Sequence, residues 1–110
     1  MNTRTIPTRD EIDAVVSEMI AAEAAQVPDH TSLSDLWSCV AFDRHGEFRG
    51  YGFGHTPGES RAAAWITVWW PECDLRAVPR VVPDGWTFEI YSPGEGPMFR
   101  RTTHHYGDVG

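Results

Sequence analysis

Histidine and acidic residues near the C-terminus are the first candidates for chemistry, because they could hold a metal ion. His104, His105 and Asp108 lie close together in the chain, and imidazole and carboxylate groups are common zinc ligands. Adjacent histidines in an extended segment point in opposite directions, however, so they would not readily share one ion. We therefore expect no metal and interpret residues 104–110 as a flexible tail.

Alternate glycines make the segment 46–57, GEFRGYGFGHTP, a second candidate. Three glycines stand at every second position: Gly50, Gly52 and Gly54. A dinucleotide-binding loop needs G-x-G-x-x-G between a strand and a helix, whereas residues two apart in a strand share a face. We therefore predict a bare strip of sheet against which Trp65 or Trp69 packs. Thr56, at the start of the next helix, is a weaker candidate for binding an anion.

Motifs of common enzyme classes are absent from the sequence. It contains no G-x-S-x-G, no H-E-x-x-H and no G-K-[ST], which would have indicated a serine hydrolase, a zinc protease or a phosphate-binding loop. No spacing singles out a pair of carboxyl groups in different environments, which acid–base catalysis requires. We expect a protein that is not an enzyme and needs no cofactor.

The charge balance argues against nucleic acid as a partner. All nine basic residues are arginine, against sixteen acidic ones, and the net charge is −7. Proteins that bind DNA or RNA use a basic surface to neutralise phosphates, so we expect no direct binding of either. The acidic excess near the N-terminus, at Asp10, Asp13 and Glu18 among others, is either a solvated face or a surface that meets a basic protein.

Aromatic residues supply a second candidate surface. The chain has five tryptophans, and Trp69 and Trp70 are consecutive on a predicted helix, about 100° apart around its axis, so both cannot be fully inside. They either cap the core at the helix end or anchor a partner, a role that tryptophan often has at interfaces. Glu72 and Asp74 follow directly and join them as candidate partner-binding residues.

Two capping boxes predict the helices. Thr8 with Glu11 begins the first, which carries apolar residues at helical spacing and ends before Pro28. Thr56 with Glu59 begins the second, with Pro57 at its first position, and Pro71 ends it.

Alternating apolar residues predict the strands. WSCVAFD and EFRGYGFG form a hairpin around RHG, and WTFEIY follows the Asp84-Gly85 turn. Residues 71–84, with three prolines, are predicted to be an extended connection, with or without a short strand at Ala77–Val82 that the order below does not count, and MFRRTT, residues 98–103, is predicted as a returning strand. The order is α-β-β-α-β-β, which favours a single α+β domain over residues 1–110 with one antiparallel sheet covered by two helices.

The sequence also favours a cytoplasmic protein. Cys39 and Cys73 are the only cysteines, no apolar leader precedes them, and no apolar run approaches the length that a membrane helix needs. Two cysteines in such a chain are typical of free thiols in a reducing compartment. We expect no association with membranes.

Two segments resemble the phage ABA-sandwich domain, a family of small phage-encoded proteins. EIDAVVSEM in the first helix is similar to the family's D-A-x-V helix, and GHTPGESRAAAWI, entering the second, to its T-x-x-x-x-x-x-A-A helix. The chain lacks the A-W-x-V-type helix that lies between these segments in the family. The resemblance implies a phage or mobile-element protein that acts inside a bacterial host cell.

Three functions fit these observations. The favoured one is a non-enzymatic protein that binds a host macromolecule, such as a nucleic-acid-binding protein or complex, and inhibits it by acidic mimicry of nucleic acid, as some anti-CRISPR proteins do. The second is a structural module that forms homodimers or larger assemblies through a sheet edge or the end of the helix at Trp69 and Trp70. The third is a small metal-dependent hydrolase that uses the histidines.

Overall fold

The chain folds into two helices and a three-stranded antiparallel sheet. The computed structural model describes residues 6–25, 32–70, 72 and 74–96. In chain order the elements are α1 (Arg9–Ala25), β1 (Trp37–Phe42), β2 (Phe48–Gly54), α2 (Pro57–Trp69) and β3 (Thr87–Tyr91), with 3-10 helices at Leu33–Asp35 and Leu75–Ala77. The protein is therefore α+β, as predicted. The expected returning strand at residues 98–103 lies outside the described residues, and no described helix is long and apolar enough to cross a membrane.

Both helices begin at the predicted capping boxes. The Thr8 hydroxyl accepts from the N–H of Glu11 at 3.2 Å, and the Glu11 carboxylate accepts from the N–H of Thr8 at 2.9 Å. At α2 the Thr56 hydroxyl accepts from the N–H of Glu59 at 3.1 Å, while the Glu59 carboxylate reaches one residue further back, to the N–H of His55. Each box satisfies N–H groups that a helix start leaves unpaired.

The predicted hairpin is present, and Asp43 organises its turn. The strand order is β2-β1-β3, with both pairs antiparallel. The Asp43 carboxylate accepts from the backbone N–H groups of His45 at 2.8 Å and Glu47 at 3.0 Å, and from the Arg49 guanidinium at 3.3 Å. Gly46 has a φ of 80°, a conformation that glycine adopts without steric penalty.

α2 packs on the strip formed by Gly50, Gly52 and Gly54, but no tryptophan side chain fills it. A Cβ built on Gly52 would lie 2.5 Å from the carbonyl carbon of Ala63 and 2.6 Å from its Cβ, and one built on Gly54 would lie 2.5 Å from the Cβ of Glu59. The prediction that the strip is a packing surface is confirmed. The prediction that Trp65 or Trp69 fills it is wrong, because the missing side chains let the helix backbone itself approach the strand.

Trp65 is instead the centre of the core, on the side of α2 toward β3. It is fully buried and makes edge-on contacts with Trp86 at 5.1 Å and Trp69 at 5.6 Å between ring centroids. Its indole N–H donates to the carbonyl of Pro79 at 2.7 Å. α1 packs against α2 and adds three buried side chains to the same core: Ile12, Val15 and Val16.

The alternative of a short strand at Ala77–Val82 is wrong, because this part of the connection contains no strand. The segment begins at the end of the 3-10 helix Leu75–Ala77 and continues without regular structure, and its Val78 and Val82 side chains are buried. Pro79 stands between them and has no N–H to give to a sheet, so the segment packs on the core without joining the sheet.

Candidate protein-binding surfaces

The acidic candidates on α1 differ in their surroundings. Asp10 and Glu18 are exposed, on the side of the helix away from its buried residues. The carboxylate of Asp13 is 51% exposed yet accepts from the Arg80 guanidinium at 2.5 Å, and Arg80 also donates to the carbonyl of Val78. The Asp13–Arg80 ion pair therefore joins α1 to the connection before β3. The local sequence around Asp13 does not predict this contact.

Acidic groups surround the candidate anion position at Thr56. The Glu59 carboxylate accepts from the backbone N–H of His55, just before α2. An oxygen of Glu11 lies 2.5 Å from the position that a Cβ of Gly58 would occupy. Carboxylates complement the positive end of the helix dipole. An anion bound at this position would therefore meet the Glu59 carboxylate and a Glu11 carboxylate that is already paired with Arg61.

The tryptophan pair divides between core and surface, as predicted. Trp69 is half-buried against Trp65, and its indole N–H is buried without a hydrogen-bond partner among the described residues. Trp70, at the end of α2, is 56% exposed. Glu72 and Asp74 beyond it are exposed as well, and the Asp74 carboxylate accepts from the backbone at the start of the second 3-10 helix.

The face of the sheet opposite α2 is a surface that the sequence analysis did not propose as a site. Strand register places the following residues on it, and we call them the outer face: Ser38, Val40, Phe42, Phe48, Tyr51, Phe53, Thr87, Glu89 and Tyr91. The helices pack on the other side, where α2 meets the glycine strip and α1 meets α2. No helix in the described part of the chain covers the outer face.

Three aromatic rings of β2 form a cluster along one side of the outer face, and two of them are exposed while Phe53 is half-buried. Phe48 is 57% and Tyr51 is 43% exposed. Their rings stack at 6.3 Å with an interplanar angle of 24°, and Phe53 meets Tyr51 edge-on at 5.9 Å. A contiguous exposed aromatic surface of this kind is typical of an interaction site, because it can bury a large apolar area at low conformational cost.

The charged side chains on and beside the outer face mostly have hydrogen-bond or ion-pair partners within the protein. The Glu89 carboxylate accepts from the Tyr91 hydroxyl at 2.6 Å, and Arg49 pairs with Asp43 at 3.3 Å. Burial opposes the ionisation of Asp43, but the two backbone N–H donors and Arg49 together outweigh it and lower the pKa of that carboxyl. The aromatic cluster of β2 therefore lies beside the hairpin turn, where Arg49 is already paired with Asp43.

Other groups that could do chemistry do not gather at a site in the described part of the chain. Cys39 is a buried free thiol whose pKa burial raises to about 12, so it carries little thiolate at neutral pH. The described residues include no group of three His, Cys, Asp or Glu side chains placed to hold a metal ion. The predicted tail with His104, His105 and Asp108 lies outside the described residues.

Comparison with known proteins identifies no relative. No family model, curated protein or solved structure matches the chain. The resemblance to phage ABA-sandwich proteins therefore stays a prediction.

Proposed function

We propose that this protein is a non-catalytic binding module that recognises another protein through the outer face of its sheet. The observation that carries the proposal is the exposure of Phe48 and Tyr51, two large rings that a folded monomer would ordinarily place in contact with other groups. Their stacked geometry and the rigid sheet beneath them give a partner a preformed surface, which lowers the entropic cost of binding.

Charge favours a protein rather than a nucleic acid as that partner. Aromatic side chains on a sheet can stack on bases, but such sites combine them with a positively charged groove. Here the net charge is −7, Glu89 lies on the outer face, and the nearby Arg49 is paired. The bases of a single-stranded nucleic acid could therefore stack on these rings, but few free cations among the described residues lie nearby to neutralise its phosphates.

The acidic surface of α1 supports a basic partner, such as a nucleic-acid-binding protein of the bacterial host. Asp10, Glu18 and Glu23 are exposed along the helix, and carboxylates in such an array attract a basic surface from a distance. A protein that occupied such a surface would exclude DNA or RNA from it. In this proposal the module acts as an inhibitor, with α1 guiding association and the outer face holding the complex.

Affinity capture from a bacterial lysate with matched variants tests the proposal. The test variant combines Phe48→Ser with Tyr51→Ser. The control combines Met19→Ser with Val81→Ser, which removes exposed apolar side chains that are 40% and 69% accessible elsewhere. We expect mass spectrometry to find proteins that the wild type and the control both retain and the test variant loses. Equal retention by all three would contradict a role for the outer face.

Direct binding of a purified DNA duplex is measured as a second test of the proposal. Fluorescence anisotropy at low salt, where electrostatic binding is strongest, should show no binding of the duplex to the wild type. Tight binding would contradict the assignment of a protein partner.

A further inference from the structure

Among the residues that the structure describes, β2 is an edge strand, and no other strand pairs with its outward side. β2 is the first strand in the order β2-β1-β3. Proteins usually protect such an edge with lysine, proline, bulges or very short strands. β2 has seven residues with no lysine or proline, its one irregularity lies at the end near Phe48, and its one charge, Arg49, is paired with Asp43.

We propose that this edge pairs with the same edge of a second copy, so that two antiparallel β2 strands join two sheets into one of six strands. Tyr51 is the middle residue of Phe48–Gly54, so a twofold axis there places Tyr51 opposite Tyr51 of the second copy and brings Arg49 toward Phe53. Aromatic cross-strand pairs and an arginine beside a ring both stabilise such a contact. This proposal does not depend on the partner proposed above.

The distribution of charge favours this edge over other surfaces for self-association. Two copies with a net charge of −7 each repel one another, and the repulsion is strongest where exposed carboxylates would meet, as they would at Asp10 and Glu18 on α1. Along β2 the one charged side chain is balanced by its ion pair. Pairing through β2 therefore brings together a strand whose one charged side chain is already paired within each copy.

The position of α2 also suits the pairing. α2 lies directly on the glycines of β2, with Ala63 against Gly52, and residues at helical spacing from Ala63 are the exposed Thr67 and Trp70. Strands in a sheet are about 4.8 Å apart and packed helices about 8 to 10 Å apart. α2 contacts β1 as well as β2, so its axis lies inward of the β2 edge. Two copies of α2 would thus lie at packing distance, with the small Ala63 and Thr67 between them and Trp70 covered.

The consequence is a doubled outer face. Because the sheet continues across the dyad, the exposed rings of both copies form one aromatic surface centred on the two Tyr51 side chains.

The molar mass of the protein in solution, measured as a function of its concentration, gives the first test for a dimer. Sedimentation velocity between about 1 µM and 1 mM spans the affinities of weak to moderate dimers. We expect the mass to rise from 12.3 kDa toward twice that value. Thr67→Glu, which places like charges across the dyad, should weaken dimerisation at least about tenfold, whereas Val81→Glu, at a site 69% exposed away from the edge, should not. A monomer at every concentration overturns the proposal, and so does a dimer that Thr67→Glu leaves unchanged.

Cross-linking gives a second test that reports position. In a Cys73→Ser background, where the remaining Cys39 is buried, mild oxidation of Tyr51→Cys should give a covalent dimer, because directly opposed residues bring their Cβ atoms to about 5 Å. Val81→Cys is the control, and circular dichroism should show that both variants are folded. Cross-linking of Tyr51→Cys no faster than the control overturns the proposed register.

Discussion

Glu11 on α1 and Arg61 on α2 form a bidentate ion pair that joins the two helices. The Nε of Arg61 donates to one carboxylate oxygen at 2.9 Å and a terminal nitrogen donates to the other at 2.6 Å. The same carboxylate closes the capping box with Thr8. Hydrogen bonds from Arg61 lower the pKa of Glu11 more than burial raises it, and the N–H of Thr8 lowers it further. One side chain thus caps α1 and fixes its position against α2.

Glu11→Gln should destabilise the protein by about 1 kcal/mol at neutral pH, within the range measured for single ion pairs. Glutamine can still accept from the N–H of Thr8 at this position of a capping box, so the change isolates the charge. Urea unfolding of the wild type and the variant measures the difference. Glu18→Gln, at an exposed position of the same helix, is the matched control and should stay within about 0.5 kcal/mol of the wild type.

The effect of Glu11→Gln should depend on pH with a defined sign. Because folding lowers the pKa of Glu11 below its ordinary value of 4.5, the folded state favours the ionised carboxylate. The stabilisation is complete above the unfolded pKa and is lost as the pH falls through the folded pKa. Unfolding free energies measured from pH 7 down to about 3 should therefore converge for the two proteins. A difference that stayed constant over this range would show that charge is not its cause.

Gly52→Ala should be severely destabilising, by more than about 3 kcal/mol, because the added Cβ meets helix backbone that cannot move aside easily. The nearest atoms, including the carbonyl carbon of Ala63 at 2.5 Å, belong to α2 itself. Gly50→Ala is the matched comparison, since its Cβ would meet the Val68 side chain at 3.1 Å and the Ala64 carbonyl oxygen at 3.2 Å. Thermal melts should show the larger loss at Gly52, and similar losses at the two positions would contradict the close approach of α2.

Local patterns in the sequence predicted most of the fold. The capping boxes at Thr8 and Thr56 located both helix starts, and the alternation of glycine with aromatic residues in β2 placed Tyr51 and Phe53 on the face away from the strip. These features depend on residues a few positions apart. The alternative of a strand at Ala77–Val82 failed because apolar residues indicate burial, as at Val78 and Val82, and burial does not require pairing with a sheet.

Contacts between distant residues could not be predicted in the same way. Glu11 and Arg61 are 50 positions apart and Asp13 and Arg80 are 67, and nothing in the local sequence selects one arginine among nine. The outer face was missed for a related reason. Alternation shows that Tyr51 opposes the glycines, but its exposure depends on both helices lying on the other side of the sheet.

Thr56→Ala should cost about 1 kcal/mol, because it leaves the N–H of Glu59 without its cap at the start of the helix that contacts both the sheet and α1. Thr8→Ala removes an equivalent bond at α1 but should cost less, since α1 packs mainly on α2 and its Glu11 carboxylate stays held by Arg61. Denaturant unfolding of both variants compares them. A larger loss for Thr8→Ala would mean that α1 anchors the fold more than α2 does.

The proposed roles of α1 and the outer face should separate in binding kinetics once capture has identified the partner. Asp10→Asn with Glu18→Gln removes charge from exposed positions without touching the Asp13–Arg80 pair. This variant should associate more slowly at low salt, because long-range attraction steers encounter. The difference from the wild type should shrink as salt shortens the Debye length from about 10 Å at 0.1 M to about 3 Å at 1 M.

Phe48→Ser with Tyr51→Ser should change the other rate constant. Close apolar contacts act after docking, so their loss mainly speeds dissociation, and this effect should persist at high salt.

Trp70→Ala, which removes the exposed ring at the end of α2, distinguishes the two aromatic surfaces, and we expect it to leave dissociation from the partner nearly unchanged. Surface plasmon resonance across a salt series measures all three variants against the wild type. Fast dissociation of Trp70→Ala together with wild-type kinetics for Phe48→Ser/Tyr51→Ser would move the binding surface from the sheet to the helix end, and salt-independent association would remove the role assigned to α1.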